Sequence, residues 1–483
     1  MKRVELVFVP SPGMGHLVSA IQFSKRLLDR DDRFSVTVLS IKRGDVTTTD
    51  AYIASIAASD SRVKFIHLPH VDPHPPPQQK PVEKENTHRI QSQNDLVKEA
   101  ILNHVLPTTT PLAGLVVDMF NSSMIDVAHE LGVPSYMFFT SNAAFLGFML
   151  YLPTRHDQVG IPFRESDPDS VIASYVNPVP SSVLPSFAFE SSIVVKGHEY
   201  LPMVNHGRKF KEVDGIIVNT FYELETHAVN SFLDDKTPPV YTVGPVIDLE
   251  HKNHSGVNQV KYEEIMKWLD DQPPSSVVFL CFGSWGTFSA PQLKEMALGL
   301  ERSGHRFLWS IRLRTSNDRF APLTDSPNLE EILPPGFLER TREVGMICGW
   351  APQVEVLAHK AIGGFVTHCG WNSILESVWY GVPMAAWPMY AEQQLNAFQI
   401  VRDLGLAVEL KLDYRRDGEL VMAEKIEESV KCLMEPDIEA RKRVKEMSEK
   451  SRKAVMEGGS SHASLGRLIE ALLLSANNIV PRK

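Results

Sequence analysis

Cysteine is scarce: Cys281, Cys348, Cys369 and Cys432 are the four in 483 residues, widely spaced and without the pairing of metal ligands. That leaves no disulfide framework and no reason to infer zinc, and it suits a reducing compartment. Long apolar runs are also missing. The longest, Ala143 to Leu152, falls far short of the roughly 20 residues a membrane-spanning helix needs. Positive charge is in deficit, with 49 basic against 59 acidic residues and a net charge of −10. A phosphate backbone or an anionic lipid surface would find no broad cationic face, so nucleic acid is not the expected partner. Glycine (28) and proline (33) are too few for a fibrous or low-complexity chain. The basic-then-apolar start, MKRVELVFVPSPGMGH, is interrupted by Glu5 and has no small-residue cleavage site, so it is read as a first strand and the protein as cytoplasmic. The sequons at Asn121 and Asn253 then carry little meaning.

What is present is ample material for a core, with 43% hydrophobic residues in a length that fits two or three domains. Short apolar runs alternate with longer amphipathic ones, the rhythm of parallel βα units. Val4–Val9, Phe34–Leu39, Val63–Leu68, Leu112–Val117 and Ser135–Phe139 read as strands of a first domain over residues 1–246. A polar stretch over 247–262 reads as a linker. The rhythm restarts over 263–459 with strands at Val277–Phe282, Phe307–Ile311, Met346–Cys348, Gly364–Thr367 and Met384–Trp387. After Glu424 the chain is helical, and Glu439, Glu446 and Glu449 interleave with the basic run ARKRVKEMSEKSRK, which makes it a solvated helix face. His70–Gln93 and Arg312–Glu331 read as long surface loops.

Strand one ends in PSPGMGH. Gly13 and Gly15 open a dinucleotide fingerprint whose third glycine is replaced by Val18, and no acid closes the second strand at Ser40 or Ile41. The pair therefore marks a tight turn. His16 follows at the carboxyl end of a parallel strand, where open α/β sheets place ligands, and on its own it fits a helix cap as well as a catalyst. Asp118 ends the buried run LAGLVV at the same sheet edge. A carboxylate within reach would make the imidazole a competent general base, while the plainer role is capping the helix that starts near Ser122.

In the second half the strand GFVT runs into His368-Cys369-Gly370-Trp371-Asn372-Ser373, a tight turn at a helix N-terminus. Free amides and the helix dipole favour a phosphate there without a metal. Glu376 lies one turn after Asn372 on the same helical face, where it can accept from ribose hydroxyls. Glu392 and Gln393 open another helix and offer adjacent hydrogen-bonding groups for neighbouring sugar hydroxyls. Trp350 offers a flat face to a nucleobase, or simply packs in the core, and Ser284 follows a strand in FGS as a phosphate contact or a turn residue.

The stretch Trp350 to Gln393 resembles, end to end, the signature box of the plant family 1 UDP-glycosyltransferases. The likeness extends to PSPGMGH, the Asp118 strand end, TVGP and CFGS, and so covers nearly the whole chain. It implies a GT-B fold of two facing Rossmann-like domains with parallel sheets, the first holding the acceptor, the second the UDP-sugar, and a C-terminal helix from about 460 packed back on the first. The family's general base falls on His16 and its supporting acid on Asp118. Trp350 would stack on uracil beside Ala351 and Gln353. Ser284, His368, Asn372 and Ser373 would meet the diphosphate, and Glu376 the ribose. Trp371, Glu392 and Gln393, with Thr140, would meet sugar hydroxyls. Glu392 stands where the family commonly has Asp, keeping the charge and lengthening the reach.

The expectation is an inverting, metal-independent enzyme, a monomer with no cofactor, that moves glucose from UDP-glucose to a hydroxyl of a small lipophilic plant metabolite, such as a flavonoid, phenolic or terpenoid, to give a β-glucoside. UDP-sugar and acceptor are its expected partners. A nicotinamide oxidoreductase is opposed by the failed fingerprint. A silent UDP-sugar-binding protein on the same scaffold is opposed by His16, Asp118 and Gln393.

Overall fold

Apolar runs bounded by turn residues become strands buried on both faces, the environment of a parallel sheet covered by helices. A computed structural model of the chain describes residues 3–41, 47–69, 82–189, 199–249, 259–314, 323–324, 328–415 and 418–478. The first sheet comprises β1 (Val4–Val9), β2 (Phe34–Ser40), β3 (Val63–His67), β4 (Leu112–Asp118), β5 (Ser135–Phe139), β6 (Gly215–Val218) and β7 (Val240–Thr242). These run parallel in the order β3-β2-β1-β4-β5-β6-β7. Leu17, Ile21 and Leu28 give the Met14–Arg30 helix one apolar stripe, which it buries in the core of this sheet. The C-terminal helix Ser460–Asn478 packs on β4 and β7, adding Leu465, Leu468, Ile469 and Leu472 to that core.

The second half forms β8 (Val277–Cys281), β9 (Arg306–Ser310), a small antiparallel hairpin of β10 (Leu313–Arg314) and β11 (Leu323–Thr324), then β12 (Gly345–Cys348), β13 (Ile362–Thr367), β14 (Met384–Ala386) and β15 (Ala407–Glu409). Its parallel sheet has the order β12-β9-β8-β13-β14-β15. Leaving the hairpin aside, both sheets share the doubly wound pattern, with the third, second, first and fourth strands side by side. The order therefore reverses between β1 and β4 in one sheet and between β8 and β13 in the other. Open α/β sheets bind ligands outside the carboxyl ends of strands at such switch points.

Five strands escape the sequence reading. β6 and β15 are too short to show a period, β7 lies where the first domain appeared to be ending, and the two-residue strands β10 and β11 form a hairpin inside Arg312–Glu331, which was expected to be loop and whose end is the helix Leu329–Ile332. The TVGP segment after β7 is instead pinned down: Arg26 donates to the Val243 and Pro245 carbonyls, and Ser461 to that of Gly244. Of the loop expected over His70–Gln93, the part from Val82 onward is helical, within Val82–Ala100, and residues 70–81 lie outside the described residues. Of the linker, 250–258 lie outside them and the helix Gln259–Asp270 starts within its span. Asn121 is buried, its side chain donating to the Val9 carbonyl, which removes the sequon there from reach; Asn253 is among the residues not described.

Contacts divide the chain into two units, Met1–Pro162 with Ser192–Gly256 and Lys453–Lys483, and Phe163–Ser191 with Val257–Arg452. Phe163–Ser191, assigned from sequence to the first domain, thus belongs with the second unit. The tie is polar and long-range in sequence. The Val176 and Asn177 amides donate to the Asp403 carboxylate, and the Arg415 guanidinium donates to the Ser182 and Leu184 carbonyls and to Ser186 Oγ. No periodicity within the segment announces these partners.

Candidate active site

In the first unit, parallel pairing of β1 with β4 brings the turn after β1 beside the end of β4. Gly13 enters the helix with φ 130°, a conformation L side chains rarely adopt, and His16 follows in the first turn. Its Nδ1 lies 2.7 Å from Asp118 Oδ2. The other carboxylate oxygen accepts from Ser11 Oγ at 2.6 Å and from the Phe120 amide at 3.0 Å. Asp118 therefore caps the short helix Met119–Asn121, not the helix expected from near Ser122, and also pairs with His16, one oxygen for each task.

Asp118 is buried, which pushes its pKa up, yet the facing imidazole and the hydrogen bonds from His16, Ser11 and Phe120 outweigh this and hold it below the usual carboxylate range. An ionised carboxylate only accepts, so His16 Nδ1 carries the hydrogen and Nε2 the lone pair. The imidazole side chain keeps 26% of its surface exposed against 2% for Asp118, leaving a base that can be reached on a support that cannot. Thr140 Oγ1 sits 3.1 Å from the same His16 nitrogen, so within this unit its contact is to the imidazole. Phe120 packs on the imidazole with ring centroids 5.4 Å apart.

The second unit repeats the arrangement at the ends of β8 and β13. Ser284 is exposed in the turn after β8, one residue beyond Gly283, whose carbonyl accepts from Arg312 Nη2 at 2.7 Å. His368 ends β13. A Cβ on either Gly283 or Gly370 would come within 2.5 Å of His368 Nε2, so both glycines are needed for the imidazole to lie between these turns. Burial lowers the His368 pKa to about 4, which makes the ring neutral at physiological pH. Its Nδ1 is buried with no hydrogen-bond partner among the described residues. A neutral imidazole meets a diphosphate by hydrogen bonding, not as a cation.

Next comes the helix Trp371–Tyr380, with Asn372 half-buried in its first turn and Ser373 buried. Gln353 Nε2 donates to Ser373 Oγ at 2.8 Å and to Glu376 Oε2 at 2.5 Å. Three groups expected around the nucleotide thus form one hydrogen-bonded network. Trp350 is half-buried and Ala351 buried at the start of that segment. Trp371, expected at a sugar hydroxyl, is 3% exposed, so most of its indole packs in the interior.

Gln393 departs from expectation in a useful way. Its Oε1 accepts from the Met389 and Tyr390 amides at 3.0 and 3.1 Å, so the side chain keeps a donor, not an acceptor, for a sugar hydroxyl. Glu392 beside it is half-buried and supplies the acceptor. Sequence reasoning passed over Arg312, Cys369 and Asn396. Only Asn396 carried a signal, its four-residue spacing from Glu392.

Two doubly wound units, one presenting a carboxylate-supported histidine and the other a helix N-terminus with a neutral histidine and a linked Gln-Ser-Glu set, define a GT-B nucleotide-sugar transferase. The profile of the UDP-glucoronosyl and UDP-glucosyl transferase family matches residues 253–434. UDP-glycosyltransferase 71K1 of Malus domestica is 53% identical, covering 98% of this chain and 99% of its own. Anthocyanidin 3-O-glucosyltransferase 1 of Manihot esculenta is 48% identical, over 95% and 100%. A Medicago truncatula glycosyltransferase solved with UDP-glucose superposes with a TM-score of 0.86 at 44% identity, covering 97% of this chain and 98% of its own. The chain belongs to the plant family 1 UDP-glycosyltransferases and is a UDP-sugar-dependent glycosyltransferase.

Proposed function

We propose that the enzyme transfers glucose from UDP-glucose, with inversion and without a metal, to a hydroxyl of a small lipophilic plant metabolite, flavonoids and related phenolics being the leading class. The observation that carries this reading is the His16–Asp118 pair at 2.7 Å. His16 Nε2 takes the acceptor proton as the oxygen forms its bond to the anomeric carbon. The bond from that carbon to the diphosphate oxygen breaks on the opposite face, so an α-linked donor yields a β-glucoside and UDP departs with the bonding pair. Asp118 stabilises the imidazolium that forms, and the proton passes to solvent. The amides of the Trp371–Tyr380 helix start, Ser284 and His368 receive the developing charge on UDP. Glucose as the sugar and phenolics as acceptors are supported by relatives named as flavonoid and anthocyanidin 3-O-glucosyltransferases at 48% identity. A cytoplasmic location and a monomeric state belong to the same proposal; among the described residues no helix is long and apolar enough to cross a membrane.

Acceptors that differ in their need for a base test the role of His16. An alcohol is almost never ionised near neutrality, whereas a phenol with a pKa of about 10 is increasingly ionised as pH rises. His16→Ala should lower transfer to an alcohol by roughly 100- to 10,000-fold while transfer to a matched phenol recovers at mildly alkaline pH. Asp118→Asn should give a weaker version of the same pattern. Equal losses for both acceptors in a folded, UDP-binding variant would refute the base assignment, and UDP-glucose binding without turnover in the unaltered protein would make it a binding protein.

A further inference from the structure

Only three non-glycine residues among those described hold a positive φ, and two flank the groups assigned to the donor: Cys369 at 61° beside His368, and Ala391 at 57° beside Glu392. A side chain held there is strained and persists when its surroundings fix it. Cys369 is fixed from two sides. Its amide donates to Thr367 Oγ1 at 3.3 Å, and its carbonyl accepts from Asn396 Nδ2 at 2.9 Å. Asn396 is fully buried in the helix Gln393–Phe398. The same Nδ2 lies 3.4 Å from Glu392 Oε1, one helical turn back. The Cys369 carbonyl requires a donor, which settles the orientation of the Asn396 amide, and a primary amide has two hydrogens, one for each acceptor.

We propose that Asn396 is a positioning residue that couples the phosphate turn to the sugar-binding carboxylate. One buried nitrogen holds the turn from which the Trp371–Tyr380 helix starts, and it also orients Glu392. Resting on the donor-site reading above, this strut fixes the spacing between the diphosphate anchor and the sugar anchor while the bond between them breaks. Reaction geometry is sensitive to such spacing, so the defect from removing the strut falls on kcat more than on nucleotide affinity.

The test compares Asn396→Ala and the near-isosteric Asn396→Asp with Glu392→Ala and the double variant Glu392→Ala/Asn396→Ala. Readouts are kcat and KM for UDP-glucose, UDP affinity by calorimetry, and thermal melting as the folding control. Both Asn396 variants should lower kcat by about 10- to 100-fold and weaken UDP by only a few fold. In the Glu392→Ala background the further kcat loss from Asn396→Ala should shrink to under about threefold, because the coupled partner is already gone. Multiplicative losses in the double variant would overturn the coupling, as would a lowered melting temperature with unchanged kcat in Asn396→Asp. A Glu392→Ala enzyme with normal kcat and KM would instead remove Glu392 from the donor site and take the coupling with it. If Asn396→Ala fails to fold, Asn396→Asp, which keeps the volume but loses the donor, is judged by the same kcat-to-affinity split, paired with Glu392→Ala.

Discussion

At the scale of single residues, His368 shows how burial chooses a chemical role. An imidazole at a diphosphate invites an ion-pair interpretation, but desolvation lowers its pKa to about 4 and leaves it neutral. The same depression makes a statement about stability. The unfolded chain takes up a proton near pH 6.5 while the folded chain does not, so stability is complete above about 6.5 and falls as pH drops towards 4. One such proton amounts to on the order of 3 kcal/mol across that window. His368→Gln should therefore flatten the loss of melting temperature between pH 7.5 and pH 5, relative to the unaltered chain. Parallel melting curves in the two proteins would mean that the imidazole protonates freely and is not buried as described. Residue identity and spacing made His16, Asp118, Ser373 and Glu376 legible in the sequence. They could not show that the Gln393 carbonyl is used up by two backbone amides, because that depends on a loop closing on itself.

At the scale of elements, strands buried on both faces announced themselves as apolar runs, and most began and ended within a residue or two of expectation. What stayed hidden was short or held by partners far along the chain. GIIV of β6 is too brief to carry a period, and Phe163–Ser191 is tied to the second unit by Asp403 and Arg415. The C-terminal helix Ser460–Asn478 was legible in purpose because its apolar residues needed a surface. Leu468 is fully buried against the first sheet's core, while Leu474 on the same helix is 65% exposed. Leu468→Ala should then destabilise the first unit by about 2–5 kcal/mol through lost burial and a residual cavity. Leu474→Ala should be nearly neutral. Chemical denaturation followed by hydrogen exchange of β4 and β7 amides checks both, and equal effects of the two substitutions would show that the helix is not docked by this face.

At the scale of the whole molecule, a chain with a net charge of −10 must accept a diphosphate without a basic surface, and this bears on whether a metal is needed. In the proposed reading the charge is met locally by helix-start amides, Ser284 and an uncharged imidazole, and the acids nearby have other partners. Glu376 already accepts from Gln353, and Glu392 lies within reach of Asn396. Elsewhere Asp126, His129 and Glu212 lie close enough to suggest a cation site, but the Lys209 ammonium stands 2.6 Å from Asp126 and 2.8 Å from Glu212 and supplies the positive charge itself. A divalent ion bridging UDP to the protein needs carboxylates with oxygen sites to spare, whereas Glu376 Oε2 and Glu392 Oε1 accept from amides and the proposed donor reading assigns these two acids to ribose and sugar hydroxyls. Turnover with UDP-glucose should therefore be unchanged after extensive dialysis against EDTA, and added magnesium or manganese should not raise it. Initial rates at subsaturating donor give the sharpest measure, since a metal acting on the diphosphate would change KM first. A loss of rate in EDTA that magnesium restores would show that the helix start and its neutral histidine do not suffice for the leaving group, and would place a metal in the transition state.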